Sequence, residues 1–182
     1  RPITVTADNG QISYGSSGYI PGYQVNQGGL LDGDSLIGSL AVDIGEGNVG
    51  EYPIIQGTLT NENNPNYAIT FVPGKLTIIK ANSSVTVAPQ AVSSLRFNGQ
   101  ERALVTAGTA TGGTLQYRLS QNESYSATIP TGKDAGTYTV YYKVAGDSNH
   151  NDNAGGSVSV TIVPKTVEAP IIEGIEAQYL HT

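Results

Sequence analysis

The chain has 182 residues, a formal net charge of −6 and no cysteine, and only 13% of its residues are charged. The mildly acidic balance, without a basic run, works against nucleic-acid or anionic-membrane partners. The missing cysteine excludes disulfides, thiolate metal sites and cysteine nucleophiles. Glycine at 23 positions, with 11 tyrosines and many Thr, Val and Ile, favours strands and tight turns over helices.

Strand candidates in the first part of the chain are 3–7, 19–25, 36–44, 52–60 and 67–79. Leu36, Gly38, Leu40, Val42 and Ile44 fall on one face at period two, as do Tyr67, Ile69 and Phe71. Pro73–Gly74 marks a turn or bulge before Leu76 and Ile78 resume the alternation. The asparagine-rich run 61–66 reads as a loop. Residues 29–36 are the one place with room for a helical turn. In the second part the candidates are 84–88, 103–107, 114–119, 126–129, 137–145 and 157–163. Tyr138, Val140, Tyr142 and Val144 share one face of the best of these, and Thr137, Thr139, Tyr141 and Lys143 share the other.

Three landmarks recur in one order at nearly one spacing. "NVGEYPI" from Asn48 echoes "DAGTYTV" from Asp134, "ITV" from Ile3 echoes "VTV" from Val85, and "LTI" from Leu76 echoes "VTI" from Val160. This predicts a mostly all-β protein of two tandem β-rich modules, each of about 80 residues, a size that just holds its own core. Their expected bounds are 1–81 and 82–165, with 166–182 a linker or the start of a truncated third module. Short strands between turn signals suggest a β-sandwich for the second. Arg1 reads as mid-chain sequence, so the chain is expected to be a piece of a longer protein.

Several stretches mimic sites. "GEGNVG" (residues 45–50) matches G-x-G-x-x-G, but a dinucleotide site needs a helix next, and "EYPII" reads as strand. It is expected to be a turn. Asp32 and Asp34 are paired carboxylates, as glycoside hydrolysis requires, yet two acids flanking a glycine more simply make a turn. "DSNHND" (residues 147–152) opens like a calcium loop. The sixth and twelfth positions are Asp152 and Val158, where that loop needs Gly and Glu. Asp147 and Asp152 remain candidates for a looser calcium site. The simpler expectation is a turn closed by its own Asx side chains and facing solvent near a module end. His150 and His181 are the two histidines, with no G-x-S-x-G serine to serve and no paired spacing for zinc. The lysines Lys75, Lys80, Lys133, Lys143 and Lys165 fall mostly at turns or strand ends, which does not favour a buried Lys–Asn or Lys–Asp isopeptide bond. Asn82 and Asn122 open sequons that matter only in a glycosylating host.

The order "ITVTADNGQISYG", "GGLLDGDSLIGSL", "NVGEYPIIQGTLT", "NYAITFVPGKLTIIKA" resembles the MBG repeat of bacterial surface adhesins, a module related to mucin-binding β-grasp domains. "DAGTYTVYYKVAGDSNHND" with "SVSVTIVPK" resembles the Ig-like repeats of large bacterial cell-surface proteins, where a Tyr often stands at the place of His150. The resemblance implies an Ig-like sandwich for the second module and a sandwich or β-grasp-like fold for the first. It implies an extracellular, non-enzymatic, monomeric stalk or adhesion segment without a cofactor. Its partners would be neighbouring repeats of the same chain, and no part of the fragment would enter a membrane. The alternative is a module that binds host glycans or mucin, either in an adhesin or attached to a carbohydrate-active enzyme such as a glycoside hydrolase. It would use an exposed aromatic platform, for which Tyr14, Tyr19, Tyr23, Tyr125 and Tyr141 are the candidates.

Overall fold

In a computed structural model, residues 1–26 and 28–168 are described, and none of them is helical. The expected linker or third-module start at 166–182 therefore lies almost wholly outside the described residues. The fold is all-β, and its buried apolar residues form two separate clusters, one within 3–78 and one within 95–162.

The N-terminal unit contains β1 (Pro2–Ala7), β2 (Gly10–Ser13), β3 (Tyr23–Asn26), β4 (Ala41–Val42), β5 (Gly50–Ile55), β6 (Ala68–Val72) and β7 (Gly74–Ile79). One sheet has the order β3-β1-β6 and the other β2-β7-β5-β4. β1 is parallel to β6, and β2 is parallel to β7, in one continuous register: Pro2 faces Ala68 and Gly10 faces Leu76. Two chain segments thus cross together from one sheet to the other. Where both break, Asn9 Oδ1 accepts the Lys75 N–H at 2.9 Å and so carries the ladder across the gap. Alternation does the rest. Ile3, Val5 and Ala7 of β1 point inward to meet Ile54, Leu76 and Ile78, and each large side chain so buried contributes about 1.5–3 kcal/mol.

Parallel strands need a long crossover, usually a helix. Here residues 29–36 form no helix, because Gly28, Gly29 and Gly33 all take positive φ (86°, 58° and 85°). The expected strand at 36–44 shrinks to Ala41–Val42. Gly38 sits at φ 111°, against the Thr58 backbone, which ends any ladder there. The Asn64 side chain replaces it: its Oδ1 accepts the Ile37 N–H at 2.7 Å, and its Nδ2 donates to Ile37 O and Thr60 O, both at 2.9 Å. Asn64 is buried and fully satisfied, so the asparagine loop holds a structural plug. Leu36, Leu40, Val42 and Ile44 still face the core, as the alternation predicts.

The C-terminal unit contains β8 (Ala81–Asn82), β9 (Ser84–Val87), β10 (Gln90–Ala91), β11 (Arg102–Ala103), β12 (Val105–Thr106), β13 (Thr109–Thr111), β14 (Gly113–Arg118), β15 (Thr131–Gly132), β16 (Gly136–Gly146), β17 (His150–Asn151) and β18 (Asn153–Ile162). Its main sheet is antiparallel, in the order β14-β16-β18. Leu115, Tyr117, Val140, Val144, Val160 and Ile162 of this sheet pack against Leu95, Leu104 and Val105, with Val85 and Ala110 beside them. Leu104, Val105, Val85 and Ala110 come from or adjoin the short pairs β9–β13, β10–β12 and β11–β15, and Leu95 precedes the Arg96–Val163 bridge. The expected strand at 126–129 is only an isolated bridge, Ser126 to Tyr117.

The faint sequence repeat has a structural counterpart. Gly50, Glu51 and Tyr52 of β5 face Ile78, Thr77 and Leu76 of β7. Gly136, Thr137 and Tyr138 of β16 face Ile162, Thr161 and Val160 of β18, in the same antiparallel register. In both places the tyrosine hydroxyl donates to the carbonyl four residues back, Tyr52 to Asn48 O at 2.7 Å and Tyr138 to Asp134 O at 2.9 Å. The recurring Asn/Asp-x-Gly-x-Tyr therefore encodes a strand entry locked by its own tyrosine.

Candidate functional site: the joint between the two units

The turn at 147–152 is held by its own carboxylates. Asp147 Oδ1 accepts the Asn149 N–H at 2.8 Å and faces His150 Nδ1 at 2.7 Å. An ionised carboxylate only accepts, so Nδ1 carries the proton there. Asp152 Oδ1 accepts the Gly146 N–H at 2.9 Å, and its Oδ2 takes Lys143 Nζ at 3.1 Å. Both acids sit below the usual carboxylate range: Asp147 chiefly through the His150 contact, then the Asn149 N–H, and Asp152 chiefly through the Gly146 N–H, then Lys143. Both Asp152 oxygens and Oδ1 of Asp147 are thus engaged by donors of this unit. Among the described residues, no group of three or more His, Asp or Glu is arranged to hold a metal.

Asp147, Ser148, Asn151 and Asp152 of the turn are exposed, as the sequence suggested, but Asn149 and His150 are half-buried and dock onto the N-terminal unit. Asn149 Oδ1 accepts the Val49 N–H at 2.9 Å, and its Nδ2 donates to Asn48 Oδ1 at 2.8 Å. The His150 side chain is 20% exposed, and its ring meets the Tyr14 ring edge-on, centroids 5.2 Å apart at 79°. Gly112 lies directly under that imidazole at φ 73°, where a Cβ would collide with the ring.

The connection between the units is equally tied down. β8 follows β7 after Lys80 alone and pairs in parallel with β17, Ala81 opposite His150 and Asn82 opposite Asn151. The Ala81 N–H donates to Asn149 O at 3.0 Å. Lys80 Nζ donates to the carbonyls of Asp147 and His150 at 3.1 and 3.2 Å. The buried Ser83 donates from Oγ to Asn151 O at 2.6 Å. A short extended connection hydrogen-bonded on its way into the next sheet has little freedom to bend.

The five tyrosine candidates separate into two groups. Tyr14, Tyr19 and Tyr23 pack against the N-terminal core, and Tyr19 covers Gly10. Tyr125 and Tyr141 come together in the other unit, around Arg118. Its guanidinium carbon is 4.3 Å from the Tyr125 ring centre and 5.7 Å from that of Tyr141, and Lys143 Nζ is 5.3 Å from Tyr125. Arg118 Nε is buried without an acceptor, so the ring face compensates in its place. Protein cations thus already occupy the Tyr125 face. Asp34 accepts the Tyr67 hydroxyl, which raises the tyrosine pKa, and Asp32 belongs to the adjoining turn.

The joint residues Asn48, Val49, Lys80, Ser83 and Asn149 carry no signal as a set in one sequence. Asn149 is about a hundred positions from its partners. Each turn alone resembles a ligand motif, "GEGNVG" for phosphate and "DSNHND" for calcium, and their actual partner is each other.

Residues 3–77 match the family model described as "MBG domain (YGX type)". The single Tyr-Gly pair in that span is Tyr14–Gly15, the turn whose tyrosine receives His150. No curated protein and no solved structure matches this chain significantly.

Proposed function

We propose that the chain is a non-enzymatic segment of an extracellular bacterial surface protein, in which two β modules dock end to end as part of an adhesin stalk. The MBG match over 3–77 supports the surface-protein reading. The observation that carries the stalk reading is the joint. A side-chain amide bonds across it at both ends, a ring contact flanks it, and the connecting strand is paired. A spacer must transmit orientation, and each of these contacts opposes bending. The tyrosine hydroxyl bonded back to a carbonyl at a strand entry resembles the tyrosine corner of Ig-like sandwiches, which supports that fold for the second module.

The competing reading is a module that binds glycan or mucin. A glycan and mucin array probed with the purified chain, with and without calcium, decides between them. The stalk reading expects no saturable binding. Saturable binding lost on Tyr125→Ala or Tyr141→Ala would replace it with the glycan reading.

A further inference from the structure

The C-terminal unit repeats, at its far end, the surface with which the N-terminal unit receives its neighbour. In the N-terminal unit Ser13 pairs in parallel with Ile79, and the Tyr14 N–H donates to Ile79 O at 2.8 Å. In the C-terminal unit Arg96 pairs in parallel with Val163, and the Phe97 N–H donates to Val163 O at 2.9 Å. Ile79 and Val163 each follow the repeated Thr-Ile pair, so Phe97 stands where Tyr14 stands. A glycine of positive φ lies close behind each aromatic, Gly15 directly after Tyr14 at 79° and Gly99 two residues after Phe97 at 77°. By the tyrosine-corner register, Asp134 and Ala135 stand where Asn48 and Val49 stand. By the same count, Pro164 stands where Lys80 does.

The two ends differ in cover. Tyr14 carries the His150 ring, and Asn48 and Val49 carry the Asn149 amide. Phe97 is 37% exposed, and Phe97, Ala135, Pro164 and Val167 line a shallow apolar groove of about 410 Å³.

We infer that this groove is the docking surface for a following β unit of the same polypeptide. The unit's turn equivalent to 147–152 would seat on Phe97, as His150 seats on Tyr14. Asp134, an acceptor where Asn48 is an amide, selects a donor from that turn, such as an Asn or Gln NH₂ or a hydroxyl. The inference rests on the stalk reading and names its next contact.

Phe97 and Phe71 are the two phenylalanines of the chain, so fluorine-labelled phenylalanine gives one probe in the groove and one reference on β6. A soluble gadolinium chelate reports the exposure of each. The polypeptide carried through the unit after residue 182 is expected to protect Phe97 several-fold relative to the 182-residue chain. Phe71 should not change, and Phe97→Ser should loosen the second joint while both flanking units stay folded. Equal exposure of Phe97 in both chains would overturn the inference, as would a continuation that is not a β unit. Protection already present in the 182-residue chain would also overturn it. Loss of that protection on truncation after Glu168 would give the groove to the chain's own last residues, and loss on dilution would give it to a second copy. If Phe97 stays open while the first joint holds its geometry, this inference falls and the stalk reading stands.

Discussion

The hydroxyls of Tyr52 and Tyr138 do the same work 86 residues apart (138 − 52), each closing a strand entry onto the carbonyl four residues earlier. Removing one such bond while keeping the ring costs about 1 kcal/mol. Tyr52→Phe and Tyr138→Phe are therefore each expected to lower stability by about that amount in urea denaturation, with matching values. A neutral substitution at either position would mean that the repeat is one of sequence only. Asn64 is a stronger case, because it satisfies three backbone groups of two segments from a buried position. Asn64→Ala leaves them unpaired and is expected to cost about 3 kcal/mol, while a surface asparagine such as Asn66 should tolerate alanine within about 0.5 kcal/mol. The recurrence of Tyr52 and Tyr138 was visible in the sequence, and the role of Asn64 was not. The run 61–66 has the composition of a loop, and composition cannot say which of its asparagines points inward.

At the scale of elements, alternation was a reliable guide where both faces of a strand are used. β16 falls where the period-two pattern predicts it, β1 and β14 match their strand candidates to within a residue, and β18 begins four residues ahead of its candidate. In β16 the two faces divide as expected: Val140 and Val144 enter the core, and Tyr141 and Lys143 join the Arg118 cluster outside. The pattern misled at 36–44, where the apolar residues do face the core, but from an irregular segment that Gly38 and Asn64 shape. The turn at 147–152 makes a prediction in pH. Asp147 and Asp152 have folded-state pKa values below the ordinary aspartate value, so the unfolded chain binds more protons in the acid range. Their stabilising contribution is complete above the ordinary value near ~3.9 and is lost as pH falls through the lower folded values. Stability measured from neutral to strongly acid pH should fall in that window, and Asp147→Asn with Asp152→Asn should flatten the fall. An unchanged slope in the double variant would remove these two acids from the account.

For the whole molecule, the relation between the units was the part least legible in the sequence. The repeat suggested two modules that meet near residue 81. Nothing local said that a turn from one unit would close on a turn of the other. Asn149 and Asn48 are ordinary turn asparagines until the fold brings them to 2.8 Å. In the two loops that most resemble ligand sites, the acids bond within their own turns and the asparagines Asn48 and Asn149 bond across the joint. That relation is the central claim, and the absence of cysteine makes it directly measurable. Glu62→Cys and Lys133→Cys, both at exposed positions, put one spin label on each unit. Double electron–electron resonance is expected to give a single narrow distance distribution in the otherwise unmodified chain. The distribution should broaden when Asn149→Ala and His150→Ala are added, with each unit still unfolding cooperatively. A distribution already broad before those substitutions would contradict the account, because the units would then be beads on a flexible string.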